Sequence, residues 1–196
     1  MKSIIFATNN QHKVQEIRSV LKNNFGIISL KDAGILIEIP EPHDTLEANA
    51  REKSLTISRI TGSNCFSEDT GLEVTALKGE PGVKSARYAG ENASFEENTD
   101  KLLARMQGIE TREARFRTVI SLILEKKEYQ FEGICPGTIT TKRMGNACFG
   151  YDPVFIPLGA TKTFAEMTMN EKNIYSHRRK ATDKFIQFLQ EQHEQS

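Results

Sequence analysis

Cys65-Phe66-Ser67-Glu68-Asp69-Thr70-Gly71 runs from an apolar strand end into two adjacent carboxylates, a hydroxyl and a glycine. Asp and Glu are poor strand formers. Their place here, just before a turn-permitting Gly71, fits a strand that delivers an acid to a cleft. A solvated turn fits the same residue types equally well, so the flanking chain has to decide. Downstream, Leu72-Glu73-Val74-Thr75-Ala76 alternates as a half-buried strand does, and Gly79-Glu80-Pro81-Gly82 is a turn cluster. Upstream, Pro40-Glu41-Pro42-His43 reads as a loop because two prolines block regular pairing. Asp44 with Glu47 is a capping-box variant. It opens a helix whose buried stripe is Leu46, Ala50, Ile57 and Ile60, with Lys53 inside it, where lysines are usually solvated.

Further out, Lys2 to Ala7 is a short apolar run read as a first strand, and Val14, Ile17, Val20 and Leu21 recur at helical spacing after it. In the turn between them, Thr8-Asn9-Asn10-Gln11-His12-Lys13, an Asn can cap the helix while the free amides of its first turn suit a phosphate. An ordinary capped helix with a surface Lys13 fits as well. Ile27 to Leu30 and Ile35 to Ile39 read as strand or extended chain. Ser94 opens a helix through Leu102, Leu103 and Met106 that Gly108 stops. Arg115 to Leu124 and Tyr129 to Thr140, separated by Glu125-Lys126-Lys127-Glu128, read as a long antiparallel hairpin and so imply a mixed sheet. Phe149-Gly150-Tyr151-Asp152-Pro153 is a loop before a short strand Val154-Phe155-Ile156. A last helix from about Ser176 buries Ala181, Phe185, Phe188 and Leu189. Its first turn carries His177 and Arg178, cations disfavoured by the helix dipole unless an anion lies near.

The 196 residues suffice for one sizeable core or two closely joined lobes, and a single domain over 1–196 is expected. No apolar run is long enough to cross a bilayer. Cys65, Cys135 and Cys148 are scattered and odd in number, which suits reduced thiols in a cytoplasmic protein rather than a disulfide framework. With 26 basic and 26 acidic residues the net charge is zero, so no global field would hold nucleic acid.

Taken in order, these segments resemble the inosine triphosphate pyrophosphatase family across almost the whole chain. The resemblance rests on Thr8 to Lys13, Asn49-Ala50 with Lys53, Ser67 to Gly71, and Pro81-Gly82 followed by Ser85-Ala86-Arg87-Tyr88-Ala89-Gly90. It continues through Phe149 to Pro153, Phe164-Ala165-Glu166-Met167, Glu171-Lys172-Asn173 and Ser176-His177-Arg178. It implies an α/β fold, with an elongated mixed β-sheet flanked by helices in two lobes and an active-site cleft between them. It also implies a homodimer, and magnesium-dependent hydrolysis of non-standard purine nucleoside triphosphates (ITP, dITP, XTP) to monophosphate and pyrophosphate. By the same resemblance Asp69 is the catalytic carboxylate, and Glu41 with Asp69 holds Mg2+, Glu38 being the alternative acid. Thr8, Asn9, Asn10, Gln11, His12, Lys13, Lys53, Thr70 and Lys172 bind substrate, while Phe149, Gly150, Tyr151, Asp152, His177 and Arg178 recognise the base. The chain departs from the family pattern at Cys148, at Arg179 and in Pro42-His43-Asp44, where the base pocket and metal site would register the change.

Physically, a triphosphate resists attack because its oxygens are anionic, so cations must neutralise the charge that builds on departing pyrophosphate. Magnesium keeps several waters and takes only one or two carboxylates, which Glu41 and the Glu68-Asp69 pair can supply. Metal coordination acidifies a water whose proton Asp69 can accept. Two alternatives share part of this logic: a pyrophosphatase for modified pyrimidine nucleotides, and a non-enzymatic nucleotide-binding module. Paired acids beside an anion site repel it unless a cation intervenes, which argues against simple binding.

Overall fold

The computed structural model describes residues 3–21, 26–146 and 149–194. Its elements in chain order are β1 (Ser3–Phe6), α1 (Gln11–Leu21), β2 (Gly26–Ser29), α2 (Leu46–Thr61), β3 (Cys65–Val74), β4 (Pro81–Gly82), α3 (Phe95–Arg105), β5 (Glu113–Leu124), β6 (Lys127–Ile139), β7 (Phe155–Pro157), α4 (Met169–Tyr175) and α5 (His177–Glu194). Hydrogen-bonded neighbours run β2-β1-β3-β5-β6-β7, with β4 on β3. Parallel pairing of β1 with β2 and β3, and antiparallel pairing of β3 with β4 and of β6 with β7, make the sheet mixed. The α/β class with flanking helices is therefore as expected. The chain divides into two compact units, Met1–Asp69 with Thr118–Gly133 and Arg178–Ser196, and Thr70–Arg117 with Ile134–His177.

In the first unit, strand alternation sorts the core into two faces. Ile4 and Phe6 of β1 and Phe66 of β3 join Val14 and Ile17 of α1 and Ala181, Phe185 and Leu189 of α5. Phe6 stacks on Phe66 with ring centroids 4.4 Å apart. The intervening residues, Ile5 of β1, Ala7 just after it and Cys65 of β3, pack instead with Leu30 and with Ile57 of α2. Between residues 65 and 69 the even-numbered β3 side chains thus face α1 and α5, and the odd-numbered ones face α2. Ile35, Ile37 and Ile39 pack against this second cluster from a segment outside any strand, the second of the two readings its sequence allows.

Two details of α2 differ from expectation. Its cap is Thr45, whose side chain accepts the Ala48 amide, so the helix starts after Thr45 rather than at Asp44. Ile60 is 60% exposed and lies off the buried stripe that Leu46, Ala50 and Ile57 form. At the far end Gly62 adopts φ 65°, the left-handed conformation glycine permits most cheaply. The β5–β6 connection places Glu125 and Lys126 at φ 50° and 67°, as a two-residue hairpin turn requires.

In the second unit, Leu72 and Val74 of β3, Leu102 and Met106 of α3, Phe116 of β5 and Phe155 and Phe164 form the core. α3 is closed by the Ser94–Glu97 capping box. The largest departure from the sequence reading is at Gly71: β3 continues straight through it to Val74, so no turn follows the two carboxylates. The reading of Cys148 lies outside the described residues.

Candidate functional site

Glu68 and Asp69 are both buried inside β3, at 1% and 5% exposure. Two adjacent buried anions are tolerable because alternation sends them to opposite faces, where different cations wait. Glu68 turns toward α1 and α5. Arg178 Nε donates to both of its oxygens at 3.0 Å, Lys13 Nζ lies 3.1 Å away, and Arg178 Nη1 also pairs with Glu16 of α1. Burial alone would raise the Glu68 pKa, but Arg178 and Lys13 outweigh it and hold the carboxyl down at about 2. The anion expected beside the basic start of α5 is thus a pair of protein carboxylates.

Asp69 turns toward α2, as does Ser67, whose hydroxyl donates to the Ala50 carbonyl. Lys53, one turn along that helix, donates to Asp69 Oδ1 at 2.9 Å and to Glu41 Oε1 at 2.6 Å. The lysine is only 7% exposed. Burial opposes its charge, yet Asp69 and Glu41 prevail and keep its pKa above the ordinary value. For Asp69 burial prevails: despite Lys53 its pKa is raised, and the Glu41 charge adds to the rise. The asymmetry has a visible cause. Asp69 Oδ2 is buried with no hydrogen-bond partner among the described residues, so nothing there offsets the loss of its hydration.

A buried Oδ2 without a hydrogen-bond partner among the described residues, with Glu41 tied to the same lysine, fits a hard divalent ion that takes one or two carboxylates and fills its remaining positions with water and phosphate oxygens. Among the described residues no three His, Cys, Asp or Glu side chains gather as an all-protein metal cage. Glu38 is exposed, on the alternate positions of the extended segment that packs Ile37 and Ile39 inward, and it is Glu41 that meets Lys53.

The turn before α1 is built as the cap chemistry requires. Asn10 Oδ1 accepts the amides of His12 and Lys13 at 3.0 and 3.3 Å, Thr8 Oγ1 accepts the Asn10 amide, and Asn9 Nδ2 donates to the Ile37 carbonyl. Gln11 and His12 are exposed on the first turn.

The second unit gathers the other predicted residues. Lys172 of α4 donates to Asp152 Oδ2 at 2.6 Å, and its ammonium lies 5.7 Å from the Phe149 ring centroid and 5.4 Å from that of Phe164. Phe149 meets Phe95 edge-on. Gly150 adopts φ 57°, and its carbonyl accepts from Thr99. Tyr151 is buried and donates to the Ser85 carbonyl at 2.8 Å; burial lifts its pKa. His177 stacks on Phe116 at 4.7 Å. Thr70 is half-buried on β3. Sequence reasoning gave no role to Glu16, although its i,i+3 spacing from Lys13 puts both on one face of α1, nor to Asn49.

The geometry can be set beside known proteins. Residues 4–188 match the Ham1 family. A dITP/XTP pyrophosphatase of Flavobacterium johnsoniae is 46% identical over 186 residues, covering 95% of this chain and 97% of that one. The solved structure of the Staphylococcus aureus Ham1 protein superposes with a TM-score of 0.90 at 36% identity, over 97% of this chain and 100% of that chain. A HAM1 protein from Coxiella burnetii does so with a TM-score of 0.91 at 31% identity and the same coverage.

Proposed function

The chain belongs to the Ham1 family, and from that premise we propose that it hydrolyses ITP, dITP and XTP to the nucleoside monophosphate and pyrophosphate, acting over its whole length as one cytoplasmic enzyme. The naming of relatives such as the Flavobacterium johnsoniae protein supports the substrate class. Asp69 carries the chemical part: a buried carboxylate held through one oxygen by Lys53, its other oxygen without a hydrogen-bond partner among the described residues.

Glu41 and Asp69 are the residues that would hold magnesium. Bound there, the ion would neutralise phosphate charge and acidify a water. Water adds to phosphorus, the bond to the departing pyrophosphate oxygen breaks, and the proton that leaves the water goes to Asp69, whose raised pKa suits a base. Lys13, Lys53 and Lys172 meet the triphosphate oxygens, supported by Thr70 and by the Thr8 to His12 turn. Glu68, kept ionised by Arg178, steadies the Lys13 ammonium. Phe149 stacks on the base, with Gly150, Tyr151 and Asp152 shaping its edge and His177 and Arg178 donating to its 6-oxo group. Arg178 has Nε and Nη1 already engaged by Glu68 and Glu16, so His177 is the stronger contributor. The enzyme works as a homodimer on free nucleotide, with neither nucleic acid nor membrane as partner. The formal net charge of zero argues against a nucleic-acid partner.

The test is a panel of purified ITP, XTP, dITP, GTP, ATP and a modified pyrimidine triphosphate, assayed for pyrophosphate with magnesium and with a chelator. A donor facing the 6-amino group of adenine loses its partner at roughly 1 to 3 kcal/mol. We expect kcat/KM for ITP to exceed that for ATP by about tenfold to beyond a hundredfold, with no turnover in chelator. Equal values for ITP and ATP would remove the donor role of His177 and Arg178.

A further inference from the structure

Pro40 and Pro42 flank Glu41, so the segment that carries this acid lacks two amide donors and forms no ladder. Its backbone is held instead by a side chain. Asn49, 0% exposed on α2, accepts the His43 N–H at 2.9 Å through Oδ1 and donates to the His43 carbonyl at 3.0 Å through Nδ2. Both polar groups of one residue in the loop are met by both polar atoms of one amide, while the His43 side chain is exposed. Asparagine is a poor helix former, and burying its amide is unfavourable unless it is fully hydrogen-bonded. An apolar residue would pack there more cheaply. Lys53 follows one turn later on the same helix face and grips Glu41 itself.

We propose that Asn49 is a positioning residue: it fixes the His43 backbone and through it presents Glu41, two residues away, to Lys53, Asp69 and the magnesium ion. The proposal rests on the reading of Glu41 as an active-site acid. A side chain that pins a ligand loop acts as an outer-shell partner does, and losing such a partner typically costs about 10- to 100-fold in metal affinity or activity.

The test uses Asn49→Ala and the isosteric Asn49→Asp, which keeps an acceptor for the His43 N–H and loses the donor to its carbonyl. In metal-free protein, amide exchange at His43 should be slow in the wild type, fast in Asn49→Ala and close to wild type in Asn49→Asp. Unchanged exchange in Asn49→Ala overturns the proposal. For pyrophosphate release, the magnesium concentration at half-saturation should rise about 10- to 100-fold in Asn49→Ala and by less in Asn49→Asp. In an Glu41→Gln background the Asn49→Ala effect should shrink to less than about twofold, because residues that act through one another are not additive. The same fold-change in both backgrounds would mean that Asn49 supports only the fold, and overturns the proposal. A wild-type magnesium response in Glu41→Gln overturns the reading of Glu41 and with it this proposal, and is told apart because His43 exchange would still depend on Asn49. If Asn49→Ala does not fold, Asn49→Asp must still raise the half-saturation concentration, and no rise overturns the proposal.

Discussion

Asp69→Asn abolishes turnover, lowering kcat by about a hundredfold or more, and leaves a folded protein with a melting temperature close to that of the wild type. The two halves of this expectation come from one feature. Burial raises the Asp69 pKa, and Oδ2 has no partner among the described residues, so the ionised side chain costs stability that increases as pH rises. Removing the charge relieves that cost, while Lys53 keeps Glu41 at 2.6 Å. Under the proposed roles of Asp69, activity should fail because the proton acceptor and one metal-holding oxygen are gone. Magnesium should raise the melting temperature of the wild type, since a ligand bound only by the native state stabilises it, and should not raise that of Asp69→Asn. Differential scanning calorimetry with and without the ion reads both. Retained turnover in the variant would remove Asp69 from the mechanism.

Arg178→Met should destabilise the protein by about 3 to 5 kcal/mol at neutral pH, because a buried pair broken on one side leaves an uncompensated charge. Arg178 and Glu68 are both buried, at 5% and 1% exposure. In the wild type the Glu68 pKa is depressed to about 2 from 4.5. Its stabilising contribution is therefore fully present above about pH 4.5 and is lost as pH falls through about 2. Without Arg178, burial pushes the Glu68 pKa upward and the carboxyl takes a proton at mild acidity. The stability gap between variant and wild type is thus widest at pH 7 and narrows toward pH 4. Urea midpoints at the two pH values measure it; a gap that does not narrow would mean that Arg178 contributes through packing rather than through Glu68.

Much of this organisation was legible in the sequence. Ile4 to Phe6, the Asn10 cap, the Ser94 cap and the charged Glu125–Lys126 turn all follow from periodicity and turn chemistry. The continuation of β3 did not, because low strand propensity at Glu68 and Asp69 and a glycine at position 71 mimic a turn. Propensity was overridden by cations on α1, α2 and α5 that lie 16 or more residues in sequence from the carboxylates they meet. Once the stretch is known to be a strand, simple alternation assigns Glu68 to Lys13 and Arg178, and Asp69 to Lys53. Lys53 itself has no local signal: helical lysines are normally solvated, and only the resemblance singled it out. The same is true of Asn49, whose partner is a backbone segment rather than a side chain. For the metal-site acid the resemblance offers Glu41, with Glu38 as the alternative. Inward packing of Ile37 and Ile39 leaves Glu38 exposed and brings Glu41 to Lys53.

The central claim is that water cleaves a nucleoside triphosphate so that pyrophosphate leaves as one piece. It is tested most directly by following ITP turnover with the purified protein and magnesium by phosphorus NMR. Inosine monophosphate and pyrophosphate should appear in equal amounts from the first turnover. Inosine diphosphate with orthophosphate, or unchanged ITP, would contradict it.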